Sequence, residues 1–402
     1  MAQRLLLLSC LSLLLITGCA TQSWHHENTQ SFPIRERAIT QTADKVSVSA
    51  SVPGQDEAEA IFGVPLYKRG IQPVWLEISN QSANRIRFTP SSLDRYYFSP
   101  LEVSYMHRKG MSKTAREEMD RYFYNSAMPR QIPAGETRSG YVFTHLRPGT
   151  KSFNVDVFSM GVDQNFAFFI TVPGFVPDHA KVDFDALYSE SEQVDYDLAG
   201  LRLALKNTKL LSTNRSGQQA GLPVNIVIVG EGLDVLKALL RAGWYESPSV
   251  RDADQLEKAQ YLYGRLPDAV FRIQRDSKQD RNELYLWMSP MQIEGKNVWL
   301  AQSKHFIGQR TQLEQVILGA RIDPDLNDGR DFFLQNLWYA QSLEKLGWLN
   351  TSQPISIDER RKDFNGSEYF ADGYTIIAWL TGDPTSLLET QRVGWVTPPY
   401  TQ

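Results

Sequence analysis

The sequence predicts a multidomain α+β protein: an N-terminal immunoglobulin-like β-sandwich, then an α+β sandwich with a largely antiparallel sheet and helices on one face. Three observations lead there. Between about Val46 and Pro173, apolar and polar residues alternate in short segments separated by turn-forming clusters. From Val224 onward, apolar runs of strand length are interleaved with segments whose apolar residues recur at helical spacing. The chain has 402 residues, 42% hydrophobic and 22% charged, which is enough for more than one core of ordinary soluble composition.

The chain opens with one positive charge, Arg4, and an apolar run from Leu5 to Ile16. That run is shorter than the roughly 20 apolar residues a spanning helix needs, and it ends in small residues, so residues 1–18 are expected to be a cleaved secretory signal. Its end, Leu15-Ile16-Thr17-Gly18-Cys19, resembles the lipobox of bacterial lipoproteins. The resemblance implies that Cys19 is lipidated, carries diacylglyceryl and palmitate groups, and becomes the mature N-terminus. Several acyl chains anchor stably where one is marginal, at about 0.8 kcal/mol per buried CH₂. Ala20, where an inner-membrane retention signal usually places Asp, implies sorting to the outer membrane, with the folded part facing the periplasm.

Cys10 leaves with the signal and Cys19 is lipidated, so the folded part holds no thiol for a disulfide or a metal site. Loss of Arg4 takes the net charge from −4 to −5, and no basic footprint for nucleic acid is present. Residues 19–45 are polar and irregular and are expected to form a flexible tether, with His25 and His26 solvated.

In the expected sandwich, residues 46–175, Val46, Val48 and Ala50 alternate with serines, and Val74, Leu76 and Ile78 alternate likewise. Further strands are expected at Tyr97–Tyr105, Ser139–His145, Phe153–Phe158 and Phe166–Val172. Turns fall at Asn80–Asn84, Pro133–Gly135 and Arg147–Gly149. Ser112 caps a helical insertion running to Tyr124, whose aromatic end either packs on the sandwich or offers a partner surface.

Residues 176–221 read as a linker with a short helix, Leu198–Lys206, and a polar loop, Ser212–Gly221. The second domain, residues 222–402, opens with a buried strand, Val224–Gly230, and a helix, Leu233–Gly243. Strands follow at Ala269–Ile273, Leu284–Met288 and Val298–Ser303, then a helix over Asn327–Leu346 stopped at Gly347, and a strand at Tyr374–Leu380. That order suggests a ferredoxin-like arrangement.

Six segments of this domain, Leu222–Gly230, Ala242-Gly243-Trp244, Arg281–Trp287, Gly295–Trp299, Ile322–Asp331 and Tyr369–Gly373, resemble the successive motifs of the LssY-like C-terminal domain family. The resemblance spans about Phe184 to Gly394. It implies an accessory module without an established activity, found alone or attached to membrane phosphatase-like proteins, with its first-named member linked to secretion. The family pattern carries His at the position of Glu283, Arg at Tyr285, and an Arg-Asp pair where this chain has His305-Phe306, so the polar cluster is altered in this copy.

The residues left for chemistry are Glu283 and His305 on neighbouring expected strands, and Asp323, Asp325, Asp328, Arg330 and Asp331 at a helix start. The Asp-rich segment has oxygen ligands at alternate positions like a calcium loop, but Asp328 stands where Gly is required and Leu334 where a bidentate Glu is required. Helix capping is the better account, with Arg330 and Asp331 as a surface ion pair of small worth. Gly230-Glu231-Gly232 falls short of a dinucleotide fingerprint because Val235 takes the third glycine position. No catalytic residue, cofactor or metal is assigned, and the sequence sets no oligomeric state.

Two functional readings follow. The first is an outer-membrane-anchored lipoprotein that binds or scaffolds an envelope protein, in a transport or secretion assembly. The alternative is an envelope hydrolase acting on a phosphorylated or acylated substrate. Convergent titratable groups in a cleft would favour the second, and an exposed apolar patch the first.

Overall fold

A computed structural model of the protein describes residues 23–147, 149–159, 162–247, 253–274, 280–307 and 321–396. The signal segment, Cys19 and the first residues of the expected tether lie outside the described residues. The chain divides into two compact units, one formed up to Arg147 together with Phe153–Gly174, the other by Pro148–Ser152 and the chain from Phe175.

The first unit contains two four-stranded sheets. One runs β1 (Ile39–Ala43), β2 (Val46–Ser51), β3 (Ile71–Asn80) and β6 (Thr137–His145); the other runs β5 (Gln131–Ile132), β4 (Ile86–Thr89), β7 (Thr150–Ser159) and β8 (Val162–Thr171). Strand alternation turns Val48, Ala50, Leu76 and Ile78 of the first sheet and Phe88, Val155, Val157 and Phe168 of the second into a shared core.

Three helices, α1 (Gln55–Phe62), α2 (Pro100–His107) and α3 (Lys113–Ser126), complete the unit. α3 is the expected insertion, and the Ser112 hydroxyl accepts from the amide of Ala115 at 3.1 Å. α2 replaces the strand expected over Tyr97–Tyr105. Ser99 and Glu102 form a reciprocal capping box there, with Pro100 at the first helical position, and these local signals override the alternation of apolar residues.

The expected tether is also corrected. From Trp24 onward the chain packs: Trp24 and Ile34 are buried with Phe62, Phe123 and Phe143, and the Trp24 indole donates to the Phe62 carbonyl at 3.0 Å. The ring of His26 lies 3.8 Å from that of Tyr122.

The second unit is built on one ten-stranded mixed sheet. Its strands are β9 (Val194–Tyr196), β10 (Ile226–Val229), β11 (Tyr245–Glu246), β12 (Ala269–Gln274), β13 (Arg281–Ile293), β14 (Lys296–Ile307), β15 (Arg321–Ile322), β16 (Leu343–Asn350), β17 (Tyr374–Leu380) and β18 (Gln391–Val393). The spatial order is β11-β12-β13-β14-β10-β17-β16-β18, with β15 on β14 and β9 on β13. The pairs from β11 to β10 are antiparallel, whereas β10 with β17 and β16 with β18 are parallel.

Helices cover both faces of this sheet. Ile226, Ile228, Leu284 and Leu286 pack under α5 (Gly232–Arg241) and α6 (Leu326–Tyr339), through Val235, Leu239, Phe333 and Leu337. Val227, Val229, Trp287 and Leu300 pack on the opposite face against Leu201 and Leu205 of α4 (Leu198–Asn207). A strand buried on both faces has no polar side to show, which is why Ile226–Val229 is continuously apolar. The helices-on-one-face expectation is therefore corrected. So is the linker, because within residues 176–221 β9 joins this sheet and α4 packs on it.

The long helix expected to Leu346 ends at Tyr339. Gln341 turns the chain with φ +58°, and the amide of Ser342 bonds the Leu337 carbonyl at 3.0 Å. The residues after it form β16, in which Leu346 and Trp348 face the α5–α6 side and Leu349 the α4 side.

Candidate functional site

Register decides which polar residues can meet. On β13 and β14, Glu283 lies opposite Lys304 and Asn282 opposite His305. Side chains alternate along a strand, so Glu283 points to the α4 face while His305 points to the α6 face. The two residues that the sequence places on neighbouring strands do not share a site.

Glu283 is 1% exposed and sits among cations. Arg281 Nε donates to its Oε1 at 2.7 Å, Arg272 Nε lies 2.8 Å from the same oxygen, and the Tyr285 hydroxyl donates to Oε2. Burial pushes the Glu283 carboxyl up, but the two guanidiniums and the Tyr285 hydroxyl outweigh it and hold the group below the usual carboxylate range. Lys304, also buried, stands over the Tyr285 ring at 4.0 Å, and burial pushes its ammonium down to about 8. Burial and the neighbouring Glu283 charge drive the Tyr285 hydroxyl well above its ordinary value. This is a sealed network of ion pairs, and a carboxylate 1% exposed offers a substrate no surface.

His305 belongs to a second cluster, set by the start of α6. Its Nδ1 lies 3.0 Å from Asp328 Oδ2 and 3.3 Å from Asp323 Oδ2, and its Nε2 lies 3.4 Å from Asp280 Oδ1. The helix can press onto β14 because residue 329 is glycine. A Cβ there would stand 3.0 Å from the Ser303 carbonyl oxygen and 3.1 Å from the His305 nitrogen.

Asn225 clamps the same junction, donating to the carbonyls of Ser303 at 3.0 Å and Leu326 at 3.2 Å. Capping falls to Asp325, whose carboxylate accepts from the Asn327 amide at 2.9 Å. Burial first, and then the neighbouring carboxylates of Asp323, Asp328 and Asp331, raise the Asp325 carboxyl despite that bond.

Arg330 and Asp331 are corrected from a surface pair. Arg330 is 1% exposed and grips Asp372 with two parallel bonds, at 2.7 and 2.9 Å. It also donates to Asp331 at 2.9 Å and to the Tyr374 carbonyl at 2.9 Å, and lies 5.0 Å over the Trp348 ring. Such a buried fork fixes the position of α6 against β17 and commits four of the five guanidinium N–H groups within the protein.

Sequence reasoning missed Asp280, Lys304 and Asp372. Lys304 left a usable signal, a charge inside an apolar strand opposite Glu283.

The first unit holds a different feature, a cleft of about 640 Å³. Tyr97, Phe98, Leu101, Tyr124, Tyr141 and Arg130 are among its lining residues. At the aromatic end of α3, Phe123 is core, while Tyr124 is 67% exposed at the cleft.

The second unit is thus a mixed α+β module. It is an LssY-like module: the family model described as the LssY C-terminus matches residues 257–375. The matched span contains Glu283, His305, the Asp323–Asp331 segment and Asp372, and leaves out β10 and α5. No match to this chain is found among the curated proteins.

Proposed function

We propose that the protein is a lipoprotein anchored through Cys19 in the outer membrane and facing the periplasm, where it binds or scaffolds an envelope protein in a transport or secretion assembly. The aromatic cleft of the first unit carries the binding half of this reading. Tyr124 and Leu101 at the cleft, and Tyr96 and Tyr105 close to its lining residues in sequence, are 49–71% exposed, and exposed apolar surface supports an interaction site. Tyr and Arg, both present at the cleft, are also favoured anchors of protein interfaces. We read the paired sheets beneath it as an immunoglobulin-like sandwich in which α2 and α3 are the insertion that builds the cleft. The hydrolase reading loses support, because Glu283 and His305 stand on opposite faces of the sheet and Glu283 is sealed.

The test uses full-length protein carrying a photoreactive residue in place of Tyr124, illuminated in intact envelopes. A single envelope protein in covalent adduct, lost on Leu101→Ala with Arg130→Ala, is the expected result; absence of any adduct counts against the binding reading. Cys19→Ser should release folded protein from the membrane fraction, and unchanged fractionation removes the anchor.

A further inference from the structure

We propose that His305, Asp323 and Asp328 bind a first-row divalent transition-metal ion, Zn²⁺ being the best fit, in a site with three protein ligands and an open position. This stands apart from the docking role of the first unit and goes against the sequence expectation that the Asp-rich segment only caps a helix.

The donor atoms are already gathered. Among the described residues, one ligand atom from each of the three side chains lies within 4.8 Å of the others. The 3.0 and 3.3 Å separations from His305 Nδ1 match the roughly 3.3 Å between ligand atoms of a tetrahedral ion with bonds of about 2.0 Å.

The imidazole supplies the second, independent observation. His305 is 8% exposed, its Nδ1 faces two carboxylate oxygens, and yet it has no hydrogen-bond partner. Buried polar atoms are nearly always partnered, so an orphan aimed between two carboxylates calls for something that binds all three. Asn282, directly opposite His305 on the same face and fully buried, leaves both of its amide atoms unpartnered as well.

The surroundings fit a metal ligand rather than a spare histidine. Asp280 beside Nε2 can accept a hydrogen bond from that ring N–H, which keeps the proton on Nε2 and the Nδ1 lone pair free, as a carboxylate orients a metal-binding imidazole. Capping does not consume the carboxylates: Asp325 holds the helix amide, and Asp323 accepts the Asp325 amide on Oδ1 while Oδ2 faces the histidine. An imidazole with two carboxylates suits Zn²⁺ and its neighbours better than Ca²⁺, which takes six to eight oxygens. The Asp328 side chain is 49% exposed and leaves an entry path for the ion and a water.

The experiment titrates untagged full-length protein in detergent, stripped with EDTA, with Zn²⁺ by calorimetry and with Co²⁺ by visible absorption. One equivalent per chain is expected, with Co²⁺ giving d–d bands of a low-coordinate N/O site. Asp328→Asn, at a half-exposed position, should weaken Zn²⁺ binding about tenfold or more with urea unfolding little changed, and Asp280→Asn by roughly 10- to 100-fold. Asp358→Asn, an exposed acid outside the cluster, should change nothing. No saturable one-to-one binding, undiminished binding by Asp328→Asn, or tighter binding of Ca²⁺ than of Zn²⁺ overturns the proposal.

Discussion

Glu283 and His305 lie on paired strands one residue out of register, and that single step puts the sheet between them. Their named partners among the described residues differ: Glu283 is held by Arg272, Arg281 and Tyr285, and His305 faces Asp280, Asp323 and Asp328. In a double-mutant cycle of Glu283→Gln and His305→Gln, the stability losses should add, with a coupling below about 0.5 kcal/mol. Glu283→Gln alone leaves buried cations uncompensated and should cost about 3 to 5 kcal/mol in urea unfolding. A coupling of several kcal/mol would mean the two side chains meet after all.

Lys304 gives the network a pH signature. Its pKa falls from 10.5 in the unfolded chain to about 8 when buried, so below pH 8 it is charged in both states and its burial penalty is complete. Between the two values the unfolded chain binds more protons, and stability rises with pH. Compared with Lys304→Met, the wild type should gain stability from about pH 8 toward pH 10, by up to roughly 3 kcal/mol over the whole window at about 1.4 kcal/mol per unit. Urea unfolding of both proteins at several pH values reads it; a flat difference would show that Lys304 is solvated.

Much of this fold was legible in the chain. Ile226–Val229, the α5 helix and strands β12 to β14 announced themselves by periodicity, because burial on one or two faces leaves a repeating mark. What the periodicity could not carry was register. Whether Glu283 faces Lys304 or His305 depends on a one-residue choice made across strands, and a single strand's sequence does not contain it. The burial of Arg330 was hidden for a related reason: its partner Asp372 is 42 residues away in sequence. Local signals were present but under-read at α2, where Ser99, Pro100 and Glu102 spell a helix start.

The placement of α4 predicts where the second unit can be cut. Leu201 and Leu205 are fully buried against Trp287 and Leu300, and burying a leucine contributes about 1.5 to 3 kcal/mol. A chain beginning at Phe175 should fold cooperatively, whereas one beginning at Leu222 should expose that face and bind a hydrophobic dye or aggregate. Cooperative, dye-free unfolding of the shorter chain would show that α4 is dispensable.

Gly329→Ala tests the junction on which the His305 cluster depends. The first turn of α6 lies so close to β14 that an added methyl would meet backbone at 3.0 to 3.2 Å, from Ser303 O, His305 N and Lys304 C. Backbone atoms in a central strand cannot swing aside as a side chain would, so the helix itself must lift. Alanine favours a helix over glycine by about 1 kcal/mol, which works against any loss. Overpacking of this kind typically costs about 1 to 3 kcal/mol, so a small net destabilisation is expected in urea unfolding. The more specific consequence is positional: lifting the turn moves Asp328 away from His305 Nδ1, now 3.0 Å distant, while Asp323 stays tied to β14 by its amide bond to the His305 carbonyl at 2.8 Å. The His305 ring resonances in NMR should therefore shift in Gly329→Ala, whereas the indole resonance of Trp287 on the opposite face should not. A stabilised variant with unmoved His305 resonances would mean that the close contact between Gly329 and β14 does not hold the cluster together.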